Sequence, residues 1–438
     1  MRQRELQKLE RELGGYIETF TEGMGRPERR RAMGWYITGL LLDGERKSIE
    51  PMAARLVDEE SEIESMRQRL QQCVVVSDWS DDEVRARLAR KLDSELPSIE
   101  AFVLDDTGFP KKGKFSVGVQ RQYSGTLGRR DNCQVATSLH LAGEAGSGCI
   151  ALRLYLPESW SHDPIARRRA GVPQDILFLR KWEIALEQLD EALRQGVRKH
   201  VVLADAGYGD ASEFREGLSQ RGLHYVVGAN GAHLIWPPGS RPHRPTRKRG
   251  QGGPAPTRFV DDDHELIAIG DFVKHIPRNR YKRVSWREGS RRRQTSRFLA
   301  FRVRVAADHH YGKPPSPEQW LLCNWLDGED APKFFLSTLP ASTPLKELAR
   351  IAKLRWRVER DYQELKQEIG LDHYEGRTWR GFHHHATLCA VAHAFLALRR
   401  ALSPPESNQV DAPHGPPLPS IRTASPHRNL SALSSTHR

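Results

Sequence analysis

The sequence predicts an α/β protein with a helical segment ahead of the sheet and a β-rich segment set into it. Three observations carry this. Residues 1–95 read as helical, with a break at Gly23, Gly25 and Pro27. From residue 96, short apolar runs alternate with amphipathic stretches in the order strand-strand-strand-helix-strand-helix-strand. Residues 229–340 then turn to strand-like runs around a strongly basic stretch.

The chain has 438 residues, too many for one ordinary compact domain. Lys and Arg number 68 against 56 Asp and Glu, a formal charge of +12, which points to a polyanionic partner such as nucleic acid. No stretch approaches the roughly 20 apolar residues of a membrane helix. The N-terminus MRQRELQKLERELGG is charged and lacks the apolar run of a signal peptide. Five scattered Cys without a C-x-x-C pair fit reduced thiols in a cytoplasmic protein.

Within 1–95, MGWYITGLLL (33–42) is apolar enough for a buried helix. Ser80-Asp-Asp-Glu83 has capping-box spacing, so a helix should start near Asp81. This region is read as a helical domain with a possible role in DNA binding. The α/β segment 96–228 follows. Its first strand, Ile99–Leu104, ends in Asp105-Asp106. Gln134–Leu141 and Ile150–Leu156 are strands joined by GEAGSG, and residues 174–195 have helical period. The strand Val201–Ala204 ends in Asp205, followed by Ala-Gly-Tyr-Gly, and Leu223–Val227 is a further strand.

The segment 229–340 contains an expected loop, GSRPHRPTRKRGQGGPAP (239–256), with five basic residues and no acid. Residues 274–297 hold ten Lys or Arg, among them Arg291, Arg292 and Arg293, against the single acid Glu288. Tyr281 and Trp286 lie among these cations, a mixture suited to gripping phosphates and stacking on bases. Trp286 is equally suited to packing within a strand. Residues 341–402 should hold a long helix from Thr343-Pro344 to about Ile369 and a second over 383–401. Residues 403–438, rich in Pro, Ser and His, are expected to be a disordered tail.

Asp106 and Asp205 each end an apolar strand, the edge where α/β sheets keep ligand sites. Such acids are costly among apolar neighbours unless a cation pairs with them, and a divalent metal with oxygen ligands answers that need. On a straight helix turning about 100° per residue, Arg355, Glu359, Tyr362 and Lys366 share one flank of the apolar stripe. Glu359 would face the two Asp, while Arg355 and Lys366 would line a rim fit for a phosphate backbone. Three carboxylates around two Mg²⁺ ions suit phosphodiester chemistry. Lys111 and Lys112, just after the first acid, are candidates to touch DNA. His383-His384-His385 reads mostly as surface, because neighbours on a helix point different ways.

Three pieces of the sequence, FVLDDTGFPKKG (102–113), VVLADAGYGD (201–210) and LRWRVERDYQELKQEIGLDHYEGRTWRG (354–381), resemble the DDE transposases of bacterial insertion sequences. A large group of these carries the signature Y-x2-R-x3-E-x6-K. Arg355, Glu359 and Lys366 fit its spacing, with Ala352 at the Tyr position. The resemblance implies a ribonuclease-H-like core, a mixed sheet flanked by helices and interrupted by the β-rich insertion. It implies Asp106, Asp205 and Glu359 as catalytic metal ligands, and two Mg²⁺ ions that Mn²⁺ can replace. It further implies cleavage of double-stranded DNA at transposon ends, strand transfer into target DNA, and a homodimer on the DNA. Two other readings stand beside it: a DDE-type nuclease that never joins strands, and a DNA-binding repressor without catalysis.

Overall fold

The computed structural model describes residues 3–125, 127–245, 258–288, 293–306 and 312–402. Residues 246–256 of the basic loop, Arg291, Arg292 and the tail 403–438 lie outside the described residues. The elements in order are helices α1 (Gln3–Thr21), α2 (Pro27–Leu41), α3 (Ile49–Leu56), α4 (Ile63–Val75) and α5 (Asp81–Glu95). Strands β1 (Ile99–Pro110), β2 (Gln120–Ser124), β3 (Arg129–Gly143) and β4 (Ser147–Leu154) follow, then α6 (Glu158–Ser161), α7 (Pro164–Ala170) and α8 (Lys181–Arg194). Next come β5 (Val201–Ala204), α9 (Ala206–Gly209), α10 (Ser212–Gln220), β6 (Tyr225–Ala229), β7 (Leu234–Trp236), β8 (Ile267–Ala268) and α11 (Ile269–Lys274). The chain continues with β9 (Lys282–Glu288), β10 (Arg293–Val305), β11 (Gln319–Trp325), β12 (Lys333–Ser337), α12 (Leu345–Leu354), α13 (Trp356–Gln363) and α14 (Trp379–Leu402). The protein is therefore mixed α/β, as the sequence predicts.

The chain divides into two compact units. The first comprises Met1–Glu100, Asp105–Arg198 and Arg357–Arg438; the second comprises Ala101–Leu104 and Lys199–Trp356. In the first unit, β2 and β4 pair antiparallel with successive stretches of β3, Gln120 opposite Cys133 and Ala136 opposite Leu154. Helix α14 is the axis of this unit. It is buried from Trp379 to Leu398 almost without a break and packs on α2, α4, α5 and β4. A helix apolar around its whole circumference is stable only when covered on all sides. Ser80 caps α5, its hydroxyl accepting from the Glu83 N–H at 3.2 Å, so the helix starts where the capping box predicts.

In the second unit, residues 101–104 of β1 pair in parallel with β5, and β5 with β6. The sheet then turns antiparallel through β12, β11 and β10. β9 lies against β10 as a hairpin, and β7 pairs with the end of β10. Both faces of the sheet contribute buried apolar residues, among them Val202, Leu203, Val227, Phe298, Leu321, Leu322 and Leu336. Helix α12 covers β6, β9 and β10.

Several expectations need correction. The helix expected over 174–195 begins only at Lys181. The Arg180 N–H donates to Glu183 Oε2 at 2.6 Å, which fixes the start there, and Leu177 upstream is exposed. The single helix expected from Thr343 to Ile369 is interrupted: α12 ends at Leu354, α13 starts at Trp356, and Glu364–Glu368 form a π turn. Gly370, in the left-handed region at φ 82°, terminates it. The three consecutive His are not surface residues. All are buried and each meets backbone: His383 Nδ1–H donates to Trp379 O, and His384 Nε2–H donates to Trp79 O. His385 Nε2–H donates to Gly370 O while its Nδ1 accepts from the Tyr36 hydroxyl at 2.8 Å.

Candidate active site

The burial pattern of β1 brings four buried residues, Ala101–Leu104, to a half-buried pair, Asp105 and Asp106, before Thr107 dips inside again. The Asp106 carboxylate is held on both oxygens. Oδ1 accepts from the Thr137 hydroxyl of β3 at 3.5 Å, and Oδ2 pairs with the ammonium of Lys181 at 2.5 Å. Lys181 is the first residue of α8. Asp105 turns back on the strand, its Oδ1 accepting the Asp106 N–H at 2.8 Å.

Glu359, on α13 in the same unit, is exposed. The helix is anchored beneath it by a polar network buried between α13, β3 and α14. Asp361 Oδ2 accepts from His140 Nδ1 at 2.7 Å and Asp361 Oδ1 from Ser147 at 2.6 Å. His140 Nε2 and the Tyr362 hydroxyl both meet Ser138 Oγ, at 3.0 and 2.5 Å, and Ser138 also reaches the Asp105 carbonyl at 3.4 Å. Glu364 accepts from His393 Nε2 at 3.0 Å and from Arg400 and Arg360. Burial alone would favour neutral groups here. The His140 partner instead holds Asp361 below the usual carboxylate range, and His393 with Arg400 holds Glu364 far below it.

Asp205 belongs to the second unit, at the end of the buried strand β5. Its Oδ1 is buried and has no hydrogen-bond partner among the described residues. The turn that follows is tight. A Cβ on Gly228 of β6 would stand 2.6 Å from the Ala206 nitrogen and 2.9 Å from the Asp205 carbonyl carbon. One on Gly209 would stand 2.0 Å from the Gly228 oxygen. The two glycines thus let α9 lie directly on β6 and fix where Asp205 emerges.

A buried carboxylate oxygen without a donor calls for a cation, and an acid already paired with an ammonium can exchange it for one. Both traits fit Asp205 and Asp106 to a hard divalent metal with oxygen ligands. Among the described residues, no three His, Cys, Asp or Glu are grouped so as to hold a metal ion.

The model for the DDE superfamily endonuclease family matches residues 19–293, well over half of the chain and including both Asp106 and Asp205. The chain belongs to this family. It is also similar to the probable transposase for insertion sequence element IS701 of Microchaete diplosiphon, 27% identical over 199 residues, 45% of this chain and 48% of the relative. The chain thus spans about half the length of the curated relative it matches.

The other site residues expected from the sequence are variously placed. Lys112 is exposed. The Lys111 ammonium donates to the Tyr374 carbonyl at 2.9 Å, and burial lowers its pKa. Lys366 donates to the Gly108 carbonyl at 2.9 Å and lies 5.2 Å from the Phe109 ring, again with a pKa lowered by burial, so it braces β1 just past Asp106. Tyr362 turns its hydroxyl inward to Ser138, and burial pushes its pKa well above the usual value. Arg355 is half-buried at the C-cap of α12. Trp286 sits half-buried in β9 with Lys353 of α12 5.7 Å from its ring, while Tyr281 is buried and offers no stacking face. Arg293 opens β10; Arg291 and Arg292 are outside the described residues. Lys181, His140, Asp361 and Glu364 were not singled out from sequence. The only hint was the density of acids in ERDYQELKQE, more than one catalytic carboxylate needs.

Among the described residues no helix is long and apolar enough to cross a membrane.

Proposed function

We propose that this protein is a DNA transposase of an insertion sequence, cutting double-stranded DNA at the element's ends and joining the freed 3′-hydroxyl to target DNA. In this reading Asp106, Asp205 and Glu359 are the catalytic acids on a ribonuclease-H-like core, and residues 229–340 are an insertion in it. The reading rests chiefly on one observation: the family match spans both Asp106 and Asp205, and Asp205 keeps a buried oxygen without a donor. The similarity to a probable insertion-sequence transposase supports the choice of reaction.

The three carboxylates would hold two Mg²⁺ ions, with Mn²⁺ as a substitute, and these supply activation of the attacking oxygen and charge stabilisation at the leaving one. The chain's own groups do the rest. Lys181 balances the Asp106 charge when no metal does. The buried Asp361–His140–Ser138 network fixes the helix that carries Glu359 against β3. Arg355, Lys112 and the basic face of β9 and β10 supply cations for the DNA backbone. Joining two ends calls for two active sites, hence a homodimer on DNA, acting in the bacterial cytoplasm.

The test is a cleavage assay with the full chain, Mg²⁺ and a duplex carrying the inverted repeats that flank the gene. Wild type should give nicks and joined products, and Asp205→Ala should bind the duplex and give neither. Nicks without joined products would identify a nuclease. Binding without nicks in wild type would leave a DNA-binding protein and remove the enzyme.

A further inference from the structure

In the first unit, the loop after β1 carries Phe115, 41% exposed, and three cations from separate parts of the sequence gather on its ring. The Arg169 guanidinium carbon lies 4.6 Å from the ring centroid, the Lys114 ammonium 5.7 Å and the Arg377 guanidinium carbon 5.8 Å. All three side chains are exposed. Among the described residues none of the three forms an ion pair with a carboxylate.

Three like charges do not converge on one point without something to offset their repulsion. Part of the offset is the Phe115 ring, whose negative face attracts each cation. The backbone holds the arrangement in place. The Val117 N–H donates to the Arg377 carbonyl at 3.1 Å, tying the loop to the stretch before α14. Asn132 of β3 donates to the Gly113 carbonyl at 3.0 Å. Trp160, ahead of α7, donates its indole N–H to the Val119 carbonyl at 3.1 Å, and Asp163 caps α7, which carries Arg169. The cluster is therefore preformed, and its charge is left uncompensated by the protein.

We propose that Phe115 with Lys114, Arg169 and Arg377 is a binding site for the phosphate backbone of duplex DNA. The ring works as an organiser that keeps three cations together without an acid, so that their outward donors are open to phosphate oxygens. The site deepens the transposase reading and rests on it, since it lies nine residues along the chain from Asp106 and supplies a contact to the same DNA. Arginine forks suit phosphate oxygens, and each contact releases counterions from the duplex.

The experiment measures binding of the full chain to a short random-sequence duplex in EDTA, over a range of salt, so that cleavage plays no part. Arg169→Gln and Arg377→Gln should each lower the slope of log affinity against log salt by about 1. Phe115→Leu, which changes no charge, should weaken binding about threefold to tenfold at low salt, and Phe115→Trp should restore it. Phe115→Leu binding as tightly as wild type, or slopes unchanged in both Arg variants, would overturn this site and leave the transposase reading intact. A wild-type protein that binds no duplex at all would overturn both.

Discussion

His140 and Asp361 form a hydrogen-bonded pair, Nδ1 to Oδ2 at 2.7 Å, with both side chains essentially buried. One residue is in β3, three positions after Thr137, which contacts Asp106. The other is two positions past Glu359 on α13. A buried pair of this kind is weak evidence for net stability, but removing one partner strands the other's charge.

Asp361→Ala is therefore expected to lower the unfolding free energy by about 3–5 kcal/mol. The hydroxyl of Ser147 loses its acceptor in the same step. Urea unfolding followed by circular dichroism measures this, and a loss below about 1 kcal/mol would show that the network bears no load.

The buried His triplet sets an acid limit on stability. Burial lowers the pKa of His383, His384 and His385 to about 4, so each is neutral in the folded chain at pH values where the unfolded chain protonates it. Between the unfolded value of about 6.5 and the folded value, the unfolded state binds more protons, so stability falls as pH drops through that window. The melting temperature should decline from pH 6.5 towards pH 4, and His385→Gln should flatten part of the decline. A melting temperature constant over that range would contradict it.

In the proposed reading, Lys181→Met removes the ammonium that would compete with a metal for Asp106. The pair is partly exposed, so the folded state should change by no more than about 1 kcal/mol. Mn²⁺ titration by electron paramagnetic resonance should show about threefold to tenfold tighter binding, the factor that roughly 1 kcal/mol of lost competition gives. Unchanged or weaker Mn²⁺ binding would argue against Asp106 as a ligand.

Gly228→Ala places a Cβ against the backbone of Asp205 and Ala206, where no side chain can yield. The expected cost is about 1–3 kcal/mol, of the order of other overpacked sites. Cleavage should be lost alongside it, because the turn after β5 must move. Thermal melting and the cleavage assay on one preparation read both effects.

Much of this molecule is legible in its sequence. The strand before Asp205 announces itself by an apolar run that stops at the acid, and Ser80 announces α5 by its cap. The run before Asp106 marks a strand too, but that strand continues past the acid to Pro110, because Thr107 and Phe109 turn inward again. What the helical projection around Glu359 missed was the irregularity of the helix and its polar buried face. The projection assumes a straight helix with an apolar buried face. Here the helix breaks after Leu354 and widens into a π turn at Glu364–Glu368. Its buried face also carries Asp361 and Glu364, tolerated because His140, Ser147, His393 and Arg400 come from distant parts of the chain to meet them. Hydropathy cannot register such partners. The same blindness hid the three buried His, whose acceptors are backbone carbonyls, and Lys181, which no spacing links to Asp106.

The central claim is that Asp106, Asp205 and Glu359 serve one metal centre. A crystal structure of the full chain grown with Mn²⁺ and end DNA tests it most directly. Anomalous density within about 2.0–2.2 Å of a carboxylate oxygen from each of the three acids is the predicted result. Manganese bound elsewhere, with any of the three carboxylates remote from it, would contradict the claim.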